Sequence, residues 1–370
     1  MTSDMLKGLR ITLCFGLAGA VNAGEALVYP DNDPTEHLDV IAFGSCAKER
    51  QPQPVWDAIR AHDPDLFLFI GDNNYADVWF EDGERIMAPV TSKARFEEAY
   101  AMMAAHLGFA ALSADTPIMA TWDDHDYGDN DAGEEYPFKK VAQEVFWSSF
   151  GLPAGDPLWE QSGIYHARTF GPEGRRVQII MLDTRYFRDP LDRRENRGDG
   201  EGPYVPTTDQ SRTLLGEAQW SWLEAELRKP ADVRIIASSI QVIAYQHGWE
   251  TWGNFPHERE RLYDLISETG AAGVVMISGD RHLAEISRES GFGEVSVPYP
   301  LWDFTSSGMT DGIQPVDEPN RYRIGPAYRG TNYGLIRINW AATPASLDFE
   351  NRDEVGQLIN RQTVFLPDLR

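Results

Sequence analysis

Apolar residues along this chain gather into short continuous runs separated by longer stretches of mixed character. The runs predict strands at Val40–Gly44, Leu66–Ile70, Ile118–Thr121, Val177–Leu182, Arg234–Ser238 and Val274–Ser278. They are short and continuous, without the alternation of a strand that keeps one face in water. Helical patterning between them predicts helices at Pro54–Ala61, Ala94–Leu107, Phe138–Phe150, Glu217–Leu227 and Glu258–Glu268. Strands buried on both faces and joined by helices imply an α/β architecture. Gly334–Asn339 and Ser346–Glu350 read as additional strands, of antiparallel character. Two long stretches, Arg188–Gln210 and Gly308–Gly330, are rich in charge, Gly and Pro. Loops of such length usually serve as functional covers or linkers. Strands continue on both sides of each, so both are expected to be loops within one domain.

Composition narrows the partners. With 42% hydrophobic residues and 11 Trp, the chain has ample material for a core. Its net charge of -25 repels nucleic-acid backbones and anionic lipid, so neither is expected as a partner. At the start, Lys7 and Arg10 precede the apolar stretch Ile11–Val21 and the small-residue site Val21-Asn22-Ala23. That pattern predicts an export signal over residues 1–23, leaving residues 24–370 as one domain, secreted or periplasmic. The apolar stretch is too short to span a bilayer, so no stable membrane insertion is expected. Cys14 leaves with such a signal, and Cys46 then has no cysteine to pair with. A lone thiol in an oxidising compartment must be buried or used.

Four motifs follow directly on expected strands, where open α/β sheets place their ligands. They are FGSC (Phe43–Cys46), IGDNNYAD (Ile70–Asp77), TWDDHDYGDND (Thr121–Asp131) and ISGDRHLAE (Ile277–Glu285). Together they bring Cys, Asp, Asn, Tyr and His from distant parts of the chain to strand ends. Phosphoryl transfer needs a cationic clamp, and two metal ions bridged by a carboxylate provide one. Asp72, following a strand and Gly71, suits the bridging role. Oxygen donors suit hard ions such as calcium, whereas a thiolate and a phenolate suit iron.

The order of GSC, GDNxYAD, WDDHDYGxND, LDTRYFRD, LGxxQWxWL and ISGDRHxAE resembles the alkaline phosphatase D (PhoD-like) family of calcineurin-like metallophosphatases. The resemblance covers roughly residues 40–310. It implies an αββα four-layer sandwich and hydrolysis of phosphate mono- or diesters by a metal-activated hydroxide, with Fe3+ and Ca2+ expected as cofactors and other divalent metals as alternatives. Residue by residue, it implies that Cys46, Asp72, Tyr75 and Asp280 hold iron, and that Asp124, His282 and Asn73 belong to the neighbouring metal. His125 would lie behind the ligands or protonate the leaving oxygen, and Arg185 would reach the phosphate, whose oxygens an Arg fork matches. The partner would be a small phosphoester, and the protein a monomer. Residues 24–39 leave no room for the N-terminal β-sandwich domain of the family's longer members.

Each residue also has a plainer reading. A lone Cys46 is most often a small core residue, and Tyr75 a packed aromatic with a satisfied hydroxyl. Asp126, Asp129, Asn130 and Asp131 are expected as turn residues. His37, His62, His106, His166 and His257 carry no motif and read as structural or surface residues. His247 either lines the cleft with Trp249, Trp252 and Phe255 or belongs to an aromatic plug. Alternation turns Arg281 away from the ligands on either side of it. Two other classes compete with the phosphoesterase: a metal-dependent carboxylic esterase or lactonase, and a non-enzymatic calcium-binding surface protein.

Overall fold

A computed structural model describes residues 27–198, 200–290, 297–312 and 318–370. The expected export signal, residues 1–23, lies outside the described residues. Strands are numbered β1–β17 and helices α1–α7 in chain order.

Two mixed sheets form the molecule. The first has the order β17 (Leu358–Phe365), β16 (Ser346–Asp353), β15 (Asn332–Asn339), β1 (Val40–Gly44), β2 (Leu66–Ile70), β5 (Ile118–Thr121). Here β1, β2 and β5 run parallel, and β15–β17 form an antiparallel meander beside β1. The second has the order β14 (Arg323–Tyr328), β12 (Ala284–Glu289), β13 (Leu301–Ser306), β11 (Val274–Ser278), β10 (Val233–Ser238), β7 (Val177–Met181), β6 (His166–Phe170). Its core of β13, β11, β10 and β7 is parallel, with antiparallel strands at both edges.

The continuous apolar runs are the parallel strands, and burial explains them. Every residue of β2, β5, β7, β10 and β11 is buried, because another sheet covers one face and helices the other. Phe304 of β13 stacks on Phe349 of β16 at 3.5 Å between ring centroids, so the two sheets meet face to face. Helices α1 (Val55–Arg60), α2 (Lys93–Ala104), α3 (Leu107–Ser113) and α5 (Lys139–Ser149) accompany the first sheet. Helices α6 (Gly216–Leu227) and α7 (Pro256–Thr269) pack on each other beside the second. The result is the four-layer α/β sandwich that the resemblance implied.

The helix expected over Ala94–Leu107 is α2, which ends at Ala104, and a further helix, α3, follows it. His106 leaves the helical conformation at φ -61° and ψ 119°, and its Nε2 pairs with the Glu49 carbonyl at 2.8 Å. His106 thus stands at the turn between α2 and α3. Two small hairpins complete the frame: β3 (Val78–Glu81) with β4 (Glu84–Met87), and β8 (Asp192–Arg193) with β9 (Tyr204–Val205). The second lies inside the long stretch Arg188–Gln210. Among the described residues, no helix is long and apolar enough to cross a membrane.

Candidate active site

All the parallel strands of both sheets end on one side of the sandwich, and the motifs sit where they end. Cys46 follows β1, Asp72 follows β2, and Asp123 to His125 follow β5 at the start of α4 (Asp124–Tyr127). From the second sheet come Arg185 after β7, Ser239 after β10, Asp280 and His282 after β11, and Ser307 after β13. Each strand stops and the chain turns at once to present its side chain. The turns show in the backbone: Cys46, Asp72, Asp131, Asp280 and His282 have φ values of 60°, 49°, 56°, 67° and 50°. Non-glycine residues rarely occupy this left-handed region, and they persist there when their surroundings hold them.

Three overlapping groups of donor atoms result, each able to hold a cation. Cys46, Asp72 and His282 form one, Asp72, Asp124 and His125 a second, and Asp124, Asp131 and Glu250 a third. Asp72 belongs to the first two and Asp124 to the last two. In the first group, Cys46 Sγ lies 3.4 Å from Asp72 Oδ2 and 3.0 Å from Ser307 Oγ. The Tyr75 hydroxyl is 3.1 Å from both Asp72 Oδ2 and His282 Nε2. The resemblance placed His282 with Asp124, whereas here it keeps company with Cys46, Asp72 and Tyr75. Asp280 presents its carbonyl to Cys46 Sγ at 3.8 Å, and its Oδ2 is buried without a hydrogen bond.

The second group is braced from below. Asp72 Oδ1 accepts from the His125 amide at 3.3 Å, and Asp124 Oδ2 from the Asp131 amide at 2.8 Å. Asn73 donates from Nδ2 to the Thr121 carbonyl and to Asp126, which leaves its buried Oδ1 unpartnered. Asp126 has the turn role expected of it, since it forms a capping box with Asp123 at the start of α4. The His125 ring is fixed at Nδ1 by Asp77 Oδ1 at 2.8 Å and lies against the Tyr75 ring, 4.0 Å between centroids.

In the third group, Asp131 is more than a turn residue. It meets Asp124 and Glu250, and the Tyr204 hydroxyl of β9 donates to its Oδ2. Arg185, expected from the resemblance to reach the phosphate, is fully buried with its fork committed to carboxylates. Its Nε donates to Asp123 Oδ1 at 2.7 Å and its Nη1 to Glu250 Oε1 at 2.8 Å. In this arrangement it anchors Glu250 beside Asp124. Arg188 supports the same carboxylate at 3.3 Å. Glu250 stands in a loop outside every motif, so only its neighbours mark it. Arg281 pairs with Glu318 and stacks on Trp249 at 4.6 Å, and its Nη1 also lies 3.7 Å from Asp280 Oδ2. Trp249 thus lies beside the site, and His247 is buried with Nδ1 accepting from the Trp249 amide at 3.1 Å.

The electrostatics fit a cation. Burial pushes the Cys46 thiol up to about 11. Burial likewise raises Asp72, Tyr75 and Asp280 well above their ordinary values, with neighbouring anions adding to the shift of Tyr75 and Asp72. Burial and then Glu250 and Asp124 carry Asp131 to about 8. Burial holds His282 down to about 3. Burial opposes the charge of Asp124 as well, but His125 and Arg185 take it below the usual carboxylate range. Acidic groups so crowded resist ionisation among themselves, and a bound cation reverses that cost. Asn73 Oδ1, buried without a partner, and the mixed thiol, phenol and carboxylate donors suit metal ions.

Comparison with known proteins bears on the family and the fold. The sequence profile described as PhoD-like phosphatase matches residues 41–324. Alkaline phosphatase D of Bacillus subtilis (strain 168) is 23% identical over 304 residues, covering 76% of this chain and 50% of that protein. The chain thus spans about half the length of this curated relative. A solved structure of PhoD superposes with a TM-score of 0.66 at 18% identity, over 92% of this chain and 75% of that one. A purple acid phosphatase from yellow lupin (Lupinus luteus) seeds gives 0.57 at 12% identity, covering 91% of this chain and 55% of that one. GAP50, the anchor in the inner membrane complex of Plasmodium, gives 0.55 at 11% identity over 90% of each chain. With the profile matched across most of its length, the chain belongs to the PhoD-like phosphatase family.

Proposed function

We propose that this protein is an exported, metal-dependent phosphoesterase that hydrolyses small phosphate mono- or diesters at the joined ends of its two sheets. One observation carries the reading: three donor groups overlap through Asp72 and Asp124, with His125 at their edge. Cys46, Asp72, Tyr75 and His282 would hold one ion, with Asp280 beside them. Asp72, Asp124 and Asn73 would hold its neighbour, and Asp131 and Glu250 would extend the site. The chemistry that metals held by these residues would supply is Lewis-acid neutralisation of phosphoryl charge and a lowered pKa of water. Fe3+ suits the thiol and phenol side, and Ca2+ the carboxylate side.

The chain's own residues then have separate tasks. The Asp77 carboxylate orients the His125 ring and favours its protonated form, so the free nitrogen of that ring can pass a proton to the leaving oxygen. Arg185 ties Asp123 to Glu250 and keeps the carboxylates in register. Ser307 and Ser45 hold Cys46 Sγ at 3.0 and 3.5 Å. Export rests on the leader pattern of residues 1–23, and a buried, unpaired Cys46 is compatible with an oxidising compartment.

The test is hydrolysis of bis(4-nitrophenyl) phosphate and 4-nitrophenyl phosphate by the protein loaded with iron and calcium, before and after chelation. Turnover should fall at least a hundredfold on chelation and return with metal, and the ratio of the two rates gives the preferred ester. No turnover of either ester by loaded protein would sink the reading and favour a carboxylic ester or lactone as substrate.

A further inference from the structure

The β3–β4 hairpin borders a second space. Beside Tyr75 lies a cavity of about 190 Å³, lined by Lys48, Arg50, Val78, Phe80 and Arg85 together with Gln51 and the buried Glu49, which Arg50 pairs at 3.4 Å. That volume is below the ~300 Å³ at which drug-sized pockets begin, and suits one ring with a substituent. The Tyr75 hydroxyl touches Asp72 and His282, so the cavity is one side chain away from the proposed reaction centre.

Its lining runs against the character of the protein. The chain carries a net charge of -25, yet three cations border this small space. Lys48 is paired with Asp311 at 2.6 Å, and Arg50 with Glu98 at 3.1 Å and Glu49 at 3.4 Å. Arg85 differs: among the described residues it has no carboxylate partner, and its guanidinium reaches only Met87 Sδ at 3.9 Å. Directly across the hairpin stands Phe80, which is 59% exposed. The register puts Val78, Phe80 and Arg85 on one face, toward the cavity. An apolar plate and an unneutralised guanidinium therefore stand side by side over the opening.

The opposite face is braced. Arg95 lies over the Trp79 ring at 5.3 Å and donates to the Ala76 and Val78 carbonyls at 2.8 and 2.6 Å. The hairpin is tied down on one side and offers Phe80 and Arg85 on the other. A single exposed Phe needs no explanation. One placed opposite an unpaired Arg, above a cation-lined cavity beside the ligand groups, is a recognition surface.

We propose that this cavity is the leaving-group subsite, and that it selects phosphoesters whose alcohol is a flat ring bearing a further anionic group. Phe80 stacks on the ring, and Arg85, backed by Lys48 and Arg50, takes the anion. The proposal rests on the phosphoesterase reading for its chemistry.

Three esters test it on metal-loaded protein: 4-carboxyphenyl phosphate, phenyl phosphate and ethyl phosphate, with kcat/KM read as phosphate release. In Arg85→Ala the preference for the carboxylated ring over the plain one should fall about tenfold, mostly through KM. Phe80→Ala should lower both aryl esters relative to ethyl phosphate. Binding of 4-carboxybenzylphosphonate and benzylphosphonate, which are not cleaved, is measured in parallel by calorimetry. Arg85→Ala should weaken only the carboxylated ligand, and Arg85→Lys should restore part of the loss. Turnover with unchanged preferences in both variants would overturn the subsite and leave the phosphoesterase standing. Carboxylate-dependent binding lost in Arg85→Ala without any turnover would support the subsite and overturn the reaction class. Binding that ignores the carboxylate in every variant would overturn the subsite whatever the turnover.

Discussion

His125 shows how one residue depends on another, Asp77, that closes the IGDNNYAD motif without being a ligand candidate itself. Its ring is pinned through Nδ1 by Asp77, which is wholly buried and has Oδ2 without a hydrogen bond. Burial pushes Asp77 upward in pKa, and the adjacent imidazolium pulls it back. Asp77→Asn keeps the shape and removes the charge, so the ring loses both its preferred tautomer and its electrostatic partner. The expected result is a fall in kcat of about 10–100-fold with KM little changed, the usual scale for such orienting partners. An unchanged kcat in steady-state assays would mean that the His125 orientation does not limit the reaction. Cys46, Asp72, Asp124, His125 and His282 could all be picked from the chain because short motifs carry them. Asp131 and Glu250 could not. Asp131 stands among four turn-forming Asx residues, and Glu250 is one of 58 acids, in an aromatic loop whose place at the cleft the sequence left open. Arg185 was conspicuous in sequence, but its partners were not, since the ion pairs with Asp123 and Glu250 exist only after both sheets have formed.

At the scale of elements, the site depends on how closely two sheets approach where their strands end. Gly71, between β2 and Asp72, sits at that seam with φ 101°. A Cβ there would lie 2.7 Å from Asp123 Cβ and 2.9 Å from Ser239 Cβ, one from each sheet. Gly71→Ala therefore combines a disfavoured backbone with a collision on both sides. It should cost roughly 2–4 kcal/mol of stability, within the upper range for point substitutions. It should also displace Asp72, the residue shared by two donor groups. Denaturant unfolding with parallel metal analysis checks both effects, and normal stability with full metal content would refute the close packing. The strands meeting here were legible because they are buried on both faces, as the unbroken runs Leu66–Ile70 and Val274–Ser278 show. The edge strands were not. β14 and β17 mix charged and apolar residues, as in Arg323–Tyr328, because each has a face or an edge in contact with water. Periodicity cannot separate such segments from loops.

At the scale of the whole molecule, the two sheets are also joined along their edges, away from the site, by a buried histidine. His166 lies in β6 and Ala120 in β5, the edge strands of the second and first sheets. Tyr29 bridges them: its hydroxyl is 2.5 Å from His166 Nε2 and accepts from the Ala120 amide at 3.0 Å. The other ring nitrogen, Nδ1, faces the Ile164 carbonyl at 2.7 Å. A carbonyl only accepts, so Nδ1 carries the proton and Nε2 accepts from Tyr29. Burial keeps the ring neutral by lowering its pKa from 6.5 to about 3. Between those values the unfolded chain takes up a proton that the folded protein refuses, so stability is lost as pH falls through this window. At pH 5 the cost from this residue is about 2 kcal/mol, from 1.36 kcal/mol per pH unit below 6.5. Buried acids with raised pKa values, such as Asp131 and Asp123, act in the opposite sense over part of the same range. The informative quantity is therefore the difference between wild type and His166→Gln. Gln can still donate to Ile164 and accept from Tyr29 but does not titrate. Urea midpoints at pH 7 and pH 5 should show the wild type losing about 2 kcal/mol more than the variant. Equal losses in the two proteins would mean that His166 is charged in the fold, and that the seam between the edge strands does not set the acid limit of the molecule.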